Sequence, residues 1–453
     1  MPSAESPVGA PVAPPPDPFA QVRTRGYVGL LVMAAVLGVP ISAGAYGFLA
    51  LVGALQSWTY TDLPKTLGFQ GTPPWWPLPL LAVAGLLVGA TIRYLPGTGG
   101  HKPAEGLSMT GAPKPLELPG ILIAAVATLG LGAVLGPEAP LILLGGGVAV
   151  RVVRLLKPEL PPRVDAVVGA AGSFAAVSTL LGSPITGAFL LMEVSGIGGP
   201  MLGIVLVPGL LAAGIGSLVF IGLDNWTGLG TYSLAIQDVP HANAPTGAEF
   251  GWALLIGLAA ALAGTGIRWL ALLLQPRVER HRIPATVLMG LTIAGLAIAY
   301  AQGSGKAATE VLYSGQNALG PLVAHSTDYT VGSLMLLIAC KGLAYCVSLS
   351  AFRGGPIFPA MFLGVVGGIA LSHLPGLQLT PAFAMGIGAM SVAMLKLPLT
   401  SVLLATLLLG TQGLTVMPLV IVTVVVSYVV TLRLSPAPTG DTRTGTRKDS
   451  APA

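Results

Sequence analysis

The sequence predicts an all-α integral membrane protein, a bundle of many membrane helices, and three observations support this fold class. Charged residues make up only 9% of the 453 residues, whereas soluble proteins carry roughly 25%. The mean hydropathy is +0.82, and apolar stretches follow one another with few polar interruptions. The 62 glycines and 40 prolines are expected of membrane helices that pack closely or break at mid-depth. The lipid bilayer is therefore the first predicted partner.

Apolar stretches predict the individual helices, and several are shorter than the ~20 residues that a bilayer crossing needs. A helix that ends inside the membrane is stable only where it is buried in protein or lines a watery cavity. We therefore expect broken, tilted helices that meet at a central site. The stretches run over about 27–56, 78–95, 119–135, 140–156, 166–181, 184–196, 200–222, 250–274, 286–302, 331–350, 356–372, 381–395, 397–412 and 414–432.

The two ends of the chain predict its placement in a cell membrane as a multi-pass protein. Met1–Phe19 contains acidic residues but no basic residue, which is unlike a secretory signal peptide. Arg23 and Arg25 directly precede the first apolar stretch and favour a cytoplasmic N-terminus, and we expect the C-terminus on the same side. The predicted organisation is a disordered cytoplasmic tail over 1–24, a transmembrane domain over 25–434 and a disordered C-terminal tail over 435–453.

Residue chemistry excludes several classes of function. The net charge of +5 includes no basic run interleaved with aromatic residues, so nucleic acid is not a predicted partner. The five histidines are scattered along the chain, and no metal site or cofactor is predicted. Cys340 and Cys346 lie six positions apart in one apolar stretch, on different faces of a helix. They are predicted to be buried free thiols rather than a disulfide.

An internal repeat divides the membrane domain into halves at about 25–222 and 249–434. Gly136-Pro-Glu-Ala-Pro140 in the first half matches Gly355-Pro-Ile-Phe-Pro359 in the second, both as G-P-x-x-P. Downstream, Pro184-Ile-Thr-Gly187 and Pro398-Leu-Thr-Ser401 each begin an apolar stretch, at nearly matching separations of 48 and 43 residues. Paired broken helices at corresponding positions of two halves indicate a central site in a transporter built from repeats.

Glu138 is the only charged residue between Pro119 and Val150. A charge at bilayer depth costs about 2.5–3.5 kcal/mol and is a candidate functional group by default. Gly136 and Pro137 break the preceding helix, so Glu138 lies at a helix start, which offers N–H groups and positive potential. Capping alone contributes only about 0.3–1 kcal/mol and is the simpler alternative. We expect a free anion to compete with the carboxylate, and protonation of Glu138 to open the path.

Two further segments predict anion-facing backbone groups. In Gly355–Pro359 the proline at 356 lacks an N–H, so the donors must come from Ile357 and Phe358; a packing break at a helix start is the alternative. In Pro96–Pro103, glycines allow backbone amides to converge on a ligand, and His101 or Lys102 could add positive charge. A solvated turn at the membrane surface explains this second segment equally well.

In this order, the three segments resemble the CLC family of chloride channels and chloride/proton exchangers. That family pairs a Gly-Ser-Gly-Ile-Pro loop with helix starts of the form Gly-Arg-Glu-Gly-Pro and Gly-x-Phe-x-Pro. The counterparts here are Gly99-Gly-His-Lys-Pro103, Gly136-Pro-Glu-Ala-Pro140 and Gly355-Pro-Ile-Phe-Pro359. The resemblance extends over roughly 25–434 and includes Thr128-Leu-Gly-Leu-Gly-Ala-Val-Leu-Gly136, Gly145–Gly147 and the two Pro-x-Thr helix starts.

The resemblance implies a homodimer with one anion pore in each subunit, built from two inverted repeats, and no enzymatic activity. It implies that chloride or a similar small anion crosses the membrane through a pore whose external gate is Glu138. The anion-binding positions that it implies are Gly99, Gly100, His101, Glu138, Ala139, Ile357 and Phe358.

Four departures from the family pattern bear on the pore. The family's coordinating serine falls on Gly100, so no hydroxyl is present there and anion selectivity is left open. The arginine before the gate is replaced by Pro137, and the phenylalanine of the third motif falls on Ile357, with Phe358 one position later. The family's pore tyrosine has no counterpart after Leu434, and Tyr428 is the weak substitute.

The segment Leu190–Ser195 bears on proton coupling. Glu193 matches a family glutamate near the cytoplasmic end, whereas Val194 falls where exchangers often carry their internal proton-relay glutamate. Valine cannot carry a proton, so the pattern favours a channel over a proton-coupled exchanger, with Glu193 as the remaining candidate for a proton path. The alternative for Glu193 is a polar residue at the end of a helix.

Two other functions remain as alternatives. A membrane-embedded enzyme using Glu138 as acid or base needs a second titratable partner at depth, for which Glu193 and Lys341 are the candidates. A carrier of cations or polar solutes should contain more acidic residues inside its helices than this sequence does.

Overall fold

The computed structural model describes residues 22–107, 111–158, 162–178, 180–196, 200–232, 234, 236 and 239–435. Over these residues the protein is all-α, as predicted, and the isolated β-bridge that they contain joins Gly136 to Gly355. The predicted tails at 1–24 and 435–453 lie largely outside the described residues. Thr24 is described and caps the first helix, since its Oγ1 accepts a hydrogen bond from Tyr27 N–H at 3.2 Å.

Each predicted apolar stretch forms a helix, and two short helices occur between them. The helices are α1 (Arg25–Ser57), α2 (Leu63–Thr66), α3 (Pro77–Tyr94), α4 (Leu118–Leu131), α5 (Glu138–Leu156), α6 (Pro162–Val177), α7 (Pro184–Ser195), α8 (Pro200–Thr227), α9 (Gly247–Arg280), α10 (Arg282–Ser304), α11 (Leu319–Ala324), α12 (Val331–Ala351), α13 (Ile357–Ser372), α14 (Leu379–Leu395), α15 (Pro398–Leu408) and α16 (Thr411–Leu434). A π-helical segment, Trp58–Asp62, joins α1 to α2.

The protein crosses the membrane several times. Among the described residues, 8 helices are long and apolar enough to cross a bilayer. Other apolar helices are shorter: α7 has 12 residues and α15 has 11, which at ~1.5 Å per residue is well below a hydrocarbon thickness of ~30 Å. The prediction of short apolar helices among the membrane helices is confirmed, and their ends inside the membrane stay a prediction.

The core of the protein lies around α13 and α14, which are apolar on all sides and buried along most of their length. A helix of this kind must be enclosed by other helices. The two helices cross at glycines: a Cβ at Gly364 would collide with the backbone of Gly386, and the reverse also holds. The predicted free thiols, Cys340 and Cys346, are unpaired and buried on α12.

The two halves of the chain meet through their matching helix starts. The starts of α5 and α13 run antiparallel at the bridge between Gly136 and Gly355, as corresponding segments of inverted repeats do. Their counterparts downstream, α7 and α15, also contact each other. Both pairs therefore place a helix start of one half against a helix of the other half.

Candidate functional site

Two helix starts face each other at the centre of the molecule. Gly136 N–H donates to Gly355 O at 2.8 Å, and Gly355 N–H donates to Gly136 O at 2.6 Å. The close approach depends on glycine at both positions. A Cβ at Gly355 would collide with the carboxyl group of Glu138, and a Cβ at Gly136 would collide with the same group and with Phe358. The two G-P-x-x-P motifs are thus in direct contact.

Glu138 is fully buried, and its carboxylate extends from the start of α5 to the start of α13. Its Oε1 accepts a hydrogen bond from Ile357 N–H at 2.5 Å. The backbone N–H groups of Phe358 and of Glu138 itself also interact with the carboxylate. Among the described residues, Oε2 has no hydrogen-bond partner. Since Pro356 has no N–H, the donors at this helix start are the two that the sequence predicts.

The positive groups around Glu138 are backbone groups. The ion pairs found within the described ranges join other residues. A helix start carries unpaired N–H groups and roughly half a positive charge, and these are the features that bind anions at helix N-termini. The first turn of α13 can therefore hold either the carboxylate or a small free anion. Ala139 is the next residue of α5 and is buried with it.

A buried tyrosine on α12 forms another side of this site. The Tyr345 hydroxyl donates to Pro356 O at 2.7 Å, and the charge of Glu138 acts on it electrostatically. Ser348 lies one turn further along α12, where its Oγ accepts a hydrogen bond from Val134 N–H at 2.9 Å. Helix α12 therefore holds the segments that precede both α5 and α13.

A cavity of about 170 Å³ lies next to the start of α5. Leu135 and Pro137 form part of its wall, and residues 309–318 cover it. Many of the other lining groups are polar, and they include Gln56, Tyr232, Ser314, Gln316 and Asn317. Water and small ions that enter this cavity come within one residue of Glu138.

Lys341 holds the segment that covers the cavity. It is fully buried on α12, and its Nζ donates to the carbonyl oxygens of Glu310, Val311, Leu312 and Tyr313 at 2.9, 3.1, 3.0 and 3.2 Å. The ammonium group also lies 4.4 Å from the ring centre of Phe362. All of these contacts are structural, so Lys341 is not placed as an acid–base partner of Glu138.

The predicted Gly99–Pro103 segment begins within the sharp turn at Gly97–Gly100, which lies just after α3. These four residues all have positive φ, from 51° at Thr98 to 99° at Gly100. The His101 imidazole is hydrogen-bonded through Nε2 to Gly106 O at 2.6 Å. Lys102 pairs with Glu279 at 2.8 Å and with Glu105 at 3.4 Å, and the hydrogen bond to Glu279 raises the pKa of Lys102.

Glu193 stabilises another helix start in the opposite half of the chain. Its Oε1 accepts from Leu399 N–H at 3.0 Å, and its Oε2 accepts from Thr400 N–H at 2.8 Å and from the Thr400 hydroxyl at 2.6 Å. Glu193 and Glu138 are therefore alike in that each carboxylate accepts backbone N–H groups at the start of a helix in the other half of the chain, α15 and α13 respectively. Tyr428 is half-buried on α16, a helix that packs mainly on α9, α14 and α15.

Tyr345 and Arg353 were not predicted as site residues from the sequence, but they contact the predicted segments: Tyr345 donates to Pro356 O and Arg353 donates to Thr98 O. One signal in the sequence could have found Arg353. Lys341 and Arg353 are the only Lys, Arg, Asp or Glu residues between Val331 and Leu395, so the argument from charge at bilayer depth applies to them as it does to Glu138. Tyr345 follows Lys341 by four positions and thus lies on the same face of α12.

Comparison with known proteins agrees with this geometry. A family model described as "Voltage gated chloride channel" matches residues 84–432. The curated relatives include "Putative ion-transport protein YfeO" of Escherichia coli O7:K1, 29% identical over 363 residues that cover 78% of this chain and 81% of the relative. The protein of the same name from Escherichia fergusonii matches with the same identity and coverage.

Solved structures show the same fold at low sequence identity. A slow cyanobacterial Cl⁻/H⁺ antiporter superposes with a TM-score of 0.70 at 18% identity, covering 90% of this chain and 95% of the antiporter. A CLC-type fluoride/proton antiporter gives a TM-score of 0.65 at 18% identity, covering 90% and 96%. A eukaryotic CLC transporter gives 0.68 at 14% identity, covering 90% and 72%.

Proposed function

Since the chain belongs to the voltage-gated chloride channel family, and thus to the CLC-type anion-transport proteins, we propose that it conducts chloride or a similar small anion through a pore gated by Glu138. One observation carries the proposal. The buried Glu138 carboxylate occupies the first turn of α13, where its Oε1 lies 2.5 Å from Ile357 N. A group of donors that binds a carboxylate in a water-poor site also binds a free anion, and the two exclude each other there.

The gate works by exchange at the start of α13. In the conformation described, the carboxylate fills the position and the path is closed. Protonation removes the negative charge and with it the charge-assisted hydrogen bond from Ile357, so the side chain leaves and an anion can enter. The donors remaining to the anion are the backbone N–H groups of Ile357, Phe358 and Ala139. Transport therefore increases as the pH falls.

The pore runs from the cavity beside Pro137 to the turn at Gly97–Gly100, where Gly99, Gly100 and His101 form the inner anion site. Helix α10 helps to assign the two ends of this pore to the two sides of the membrane. It begins at Arg282, and the segment that covers the cavity follows its last residue, Ser304. Basic residues concentrate at the start of α10, and cytoplasmic ends of membrane helices are rich in Lys and Arg. We therefore assign the cavity to the external face and both termini to the cytoplasm of a cell-membrane protein.

Passive conduction is proposed over proton-coupled exchange because of the side chains near the cytoplasmic end of α7. Val194 has no titratable group, and both oxygens of Glu193 are bound at the start of α15. The similar solved structures include antiporters that are named for Cl⁻/H⁺ and fluoride/proton exchange, and exchange is therefore the alternative that the transport assay must separate.

An enzymatic function is not proposed for Glu138. Its two candidate partners have other contacts: Lys341 Nζ is enclosed by four carbonyl oxygens, and Glu193 caps α15. Neither residue can therefore serve as the second acid or base that an enzyme using Glu138 would need.

A homodimer is proposed from the short helices α7 and α15. Both are too short to cross the hydrocarbon core, and apolar side chains on them are exposed, among them Ile185 at 51% and Leu407 at 42%. A partner subunit that covers this face would shield the helix ends from lipid. Light scattering of the purified protein in detergent should give the mass of two chains, and a monomer mass at all concentrations would contradict the proposal.

The function is tested with purified protein in liposomes that are loaded with chloride. Chloride efflux and proton movement are recorded together, with fluoride, nitrate and bromide as alternative anions. We expect chloride efflux without stoichiometric proton movement. Uphill proton transport driven by a chloride gradient would replace the channel by an exchanger, and the absence of any anion flux would contradict anion transport by this protein.

A further inference from the structure

Arg353 is a buried cation in the segment that joins α12 to α13. Only 3% of the residue is exposed. Its Nε donates to Thr98 O at 3.1 Å, and its Nη1 donates to Phe352 O at 3.1 Å. Among the described residues, Nη2 has no hydrogen-bond partner. A guanidinium group has five N–H donors, and a buried donor without an acceptor is costly. Nη2 thus carries N–H donors that no atom of the described residues accepts.

The charge of Arg353 is not neutralised by a carboxylate. No ion pair of the described ranges includes it. The charges that act on it electrostatically are those of Arg282, Glu279 and Glu105. The Glu279 carboxylate is already paired with two other cations, Lys102 at 2.8 Å and Arg282 at 3.7 Å. Since burying an unpaired charge is unfavourable, an anion is the partner that the site still needs.

The arginine lies against the turn at Gly97–Gly100. A Cβ at Gly99 would lie 3.5 Å from Arg353 Cγ. The carbonyl oxygen of Thr98, which lies between Gly97 and Gly99, accepts the hydrogen bond from Arg353 Nε. Turns of this kind bring backbone N–H groups together and form concave sites for anions. This turn leads into the inner anion segment of the proposed pore.

Gly100 explains why an arginine is useful at this place. The position carries no hydroxyl, and its φ of 99° disfavours any side chain there. A Cβ would also lie 3.2 Å from Leu143 Cδ1. The donor that the inner anion site lacks at Gly100 must therefore come from another residue. Lys102 is paired with Glu279 and Glu105, whereas the guanidinium group of Arg353 has no carboxylate partner among the described residues.

We propose that Arg353 binds the transported anion through Nη2 at the turn formed by Gly97–Gly100, and that its charge sets the affinity of this inner site. The inference rests on the proposed anion transport and adds a binding residue to it. The anion is held by a permanent charge at this position, whereas at Glu138 it is held by backbone groups. Binding here consequently does not require a proton.

The test measures anion binding and anion flux separately. Isothermal titration calorimetry with chloride is performed on the protein in detergent, in the Glu138→Gln background so that the carboxylate does not compete. Arg353→Gln keeps a polar side chain but removes the charge, and Arg353→Lys keeps the charge. A hydrogen bond to a charged group contributes enough for a roughly 10- to 150-fold change in affinity, so we expect Arg353→Gln to weaken chloride binding at least about tenfold and Arg353→Lys to recover much of it.

Arg277→Gln is the matched control, because Arg277 is an exposed basic residue on helix α9 whose Nη1 donates to Leu273 O of the same helix. Its chloride affinity should equal that of the parent protein. The thermal midpoint of each variant reports whether the protein is folded. If Arg353→Gln unfolds the protein, the comparison of Arg353→Lys with the Glu138→Gln parent decides. Lysine keeps the charge but lacks the fixed fork of donors, so a chloride affinity below that of the parent supports the role of Arg353, and an affinity equal to that of the parent contradicts it.

The two proposals fail in different ways. Chloride affinity that is unchanged in folded Arg353→Gln overturns the role of Arg353, even where the parent protein conducts chloride normally. The absence of anion flux in the wild-type protein overturns the proposed function. If chloride affinity still depends on Arg353 in that case, the proposed binding role of Arg353 stands without transport. A parent protein that binds no anion in the calorimeter overturns the inference as well.

Discussion

Replacing Gly355 by alanine should open the gate without removing the gating carboxylate. Gly355 does not have a positive φ, so its backbone accepts alanine without strain. The atoms closest to the new Cβ all belong to the Glu138 side chain. Because the hydrogen bonds between Gly136 and Gly355 use backbone atoms only, they are retained. The substitution therefore acts chiefly on the position of the carboxylate.

The size of the effect follows from the bond that is lost. Displaced from the start of α13, Glu138 gives up the hydrogen bond from Ile357 N–H, which has a length of 2.5 Å. A hydrogen bond to a charged group is worth about 1.5–3 kcal/mol. The ratio of displaced to bound carboxylate should therefore rise roughly 10- to 150-fold. We expect chloride efflux at neutral pH to increase towards the level that wild type reaches in acid.

The assay is chloride efflux from liposomes at several values of pH, with two controls. In Gly354→Ala the new Cβ would meet Leu135 Cβ at 2.6 Å instead of Glu138, so this variant tests for a general disturbance of the same segment. In Glu138→Ala the side chain that Gly355→Ala displaces is absent, so the double variant should behave as Glu138→Ala does. An efflux in Gly355→Ala that equals wild type at every pH, or an effect that persists undiminished in the Glu138→Ala background, would refute the exchange at the start of α13.

Two further predictions concern the other buried charges. Lys341→Met leaves four carbonyl oxygens without their donor, so thermal unfolding in detergent should show a loss of at least about 1–3 kcal/mol. Lys65→Met, at an exposed lysine on α2, should change stability little. Equal stability of the two variants would contradict the structural role of Lys341. Glu193→Gln weakens the cap of α15, so we expect the free energy of unfolding to fall by about 0.5–2 kcal/mol. The pH profile of chloride efflux should not change. A flattened profile would instead place Glu193 in a proton path.

The helices and the contact between the two G-P-x-x-P segments were predictable from the sequence because they depend on local patterns. The low charge content and the apolar stretches determine which segments cross the membrane. Glu138 stands out because a charge within an apolar stretch at a Gly-Pro break has few explanations. The match between Gly136–Pro140 and Gly355–Pro359 then indicated that the two helix starts meet, and the structure brings them together at 2.6–2.8 Å.

Contacts between distant parts of the chain were beyond such patterns. Glu193 was recognised as a residue near a helix end, but its partners Leu399 and Thr400 follow it by more than 200 positions, and nothing near Glu193 indicates them. Arg353 was missed although it satisfies the same charge argument as Glu138, because its surroundings at the Gly97–Gly100 turn come from the other half of the chain. The departure at Gly100 was visible in the sequence, whereas the guanidinium group beside it was visible only in the structure.

The central claim, that the Glu138 carboxylate is the gate of an anion path, is tested most directly by the pH profile of chloride efflux for wild type and Glu138→Gln side by side. Glutamine cannot ionise and resembles the protonated acid in size. The account predicts that wild-type efflux rises as the external pH falls and that Glu138→Gln conducts at a high rate that does not depend on pH. The same acid activation in both proteins, or chloride efflux that Glu138→Gln leaves unchanged, would contradict it.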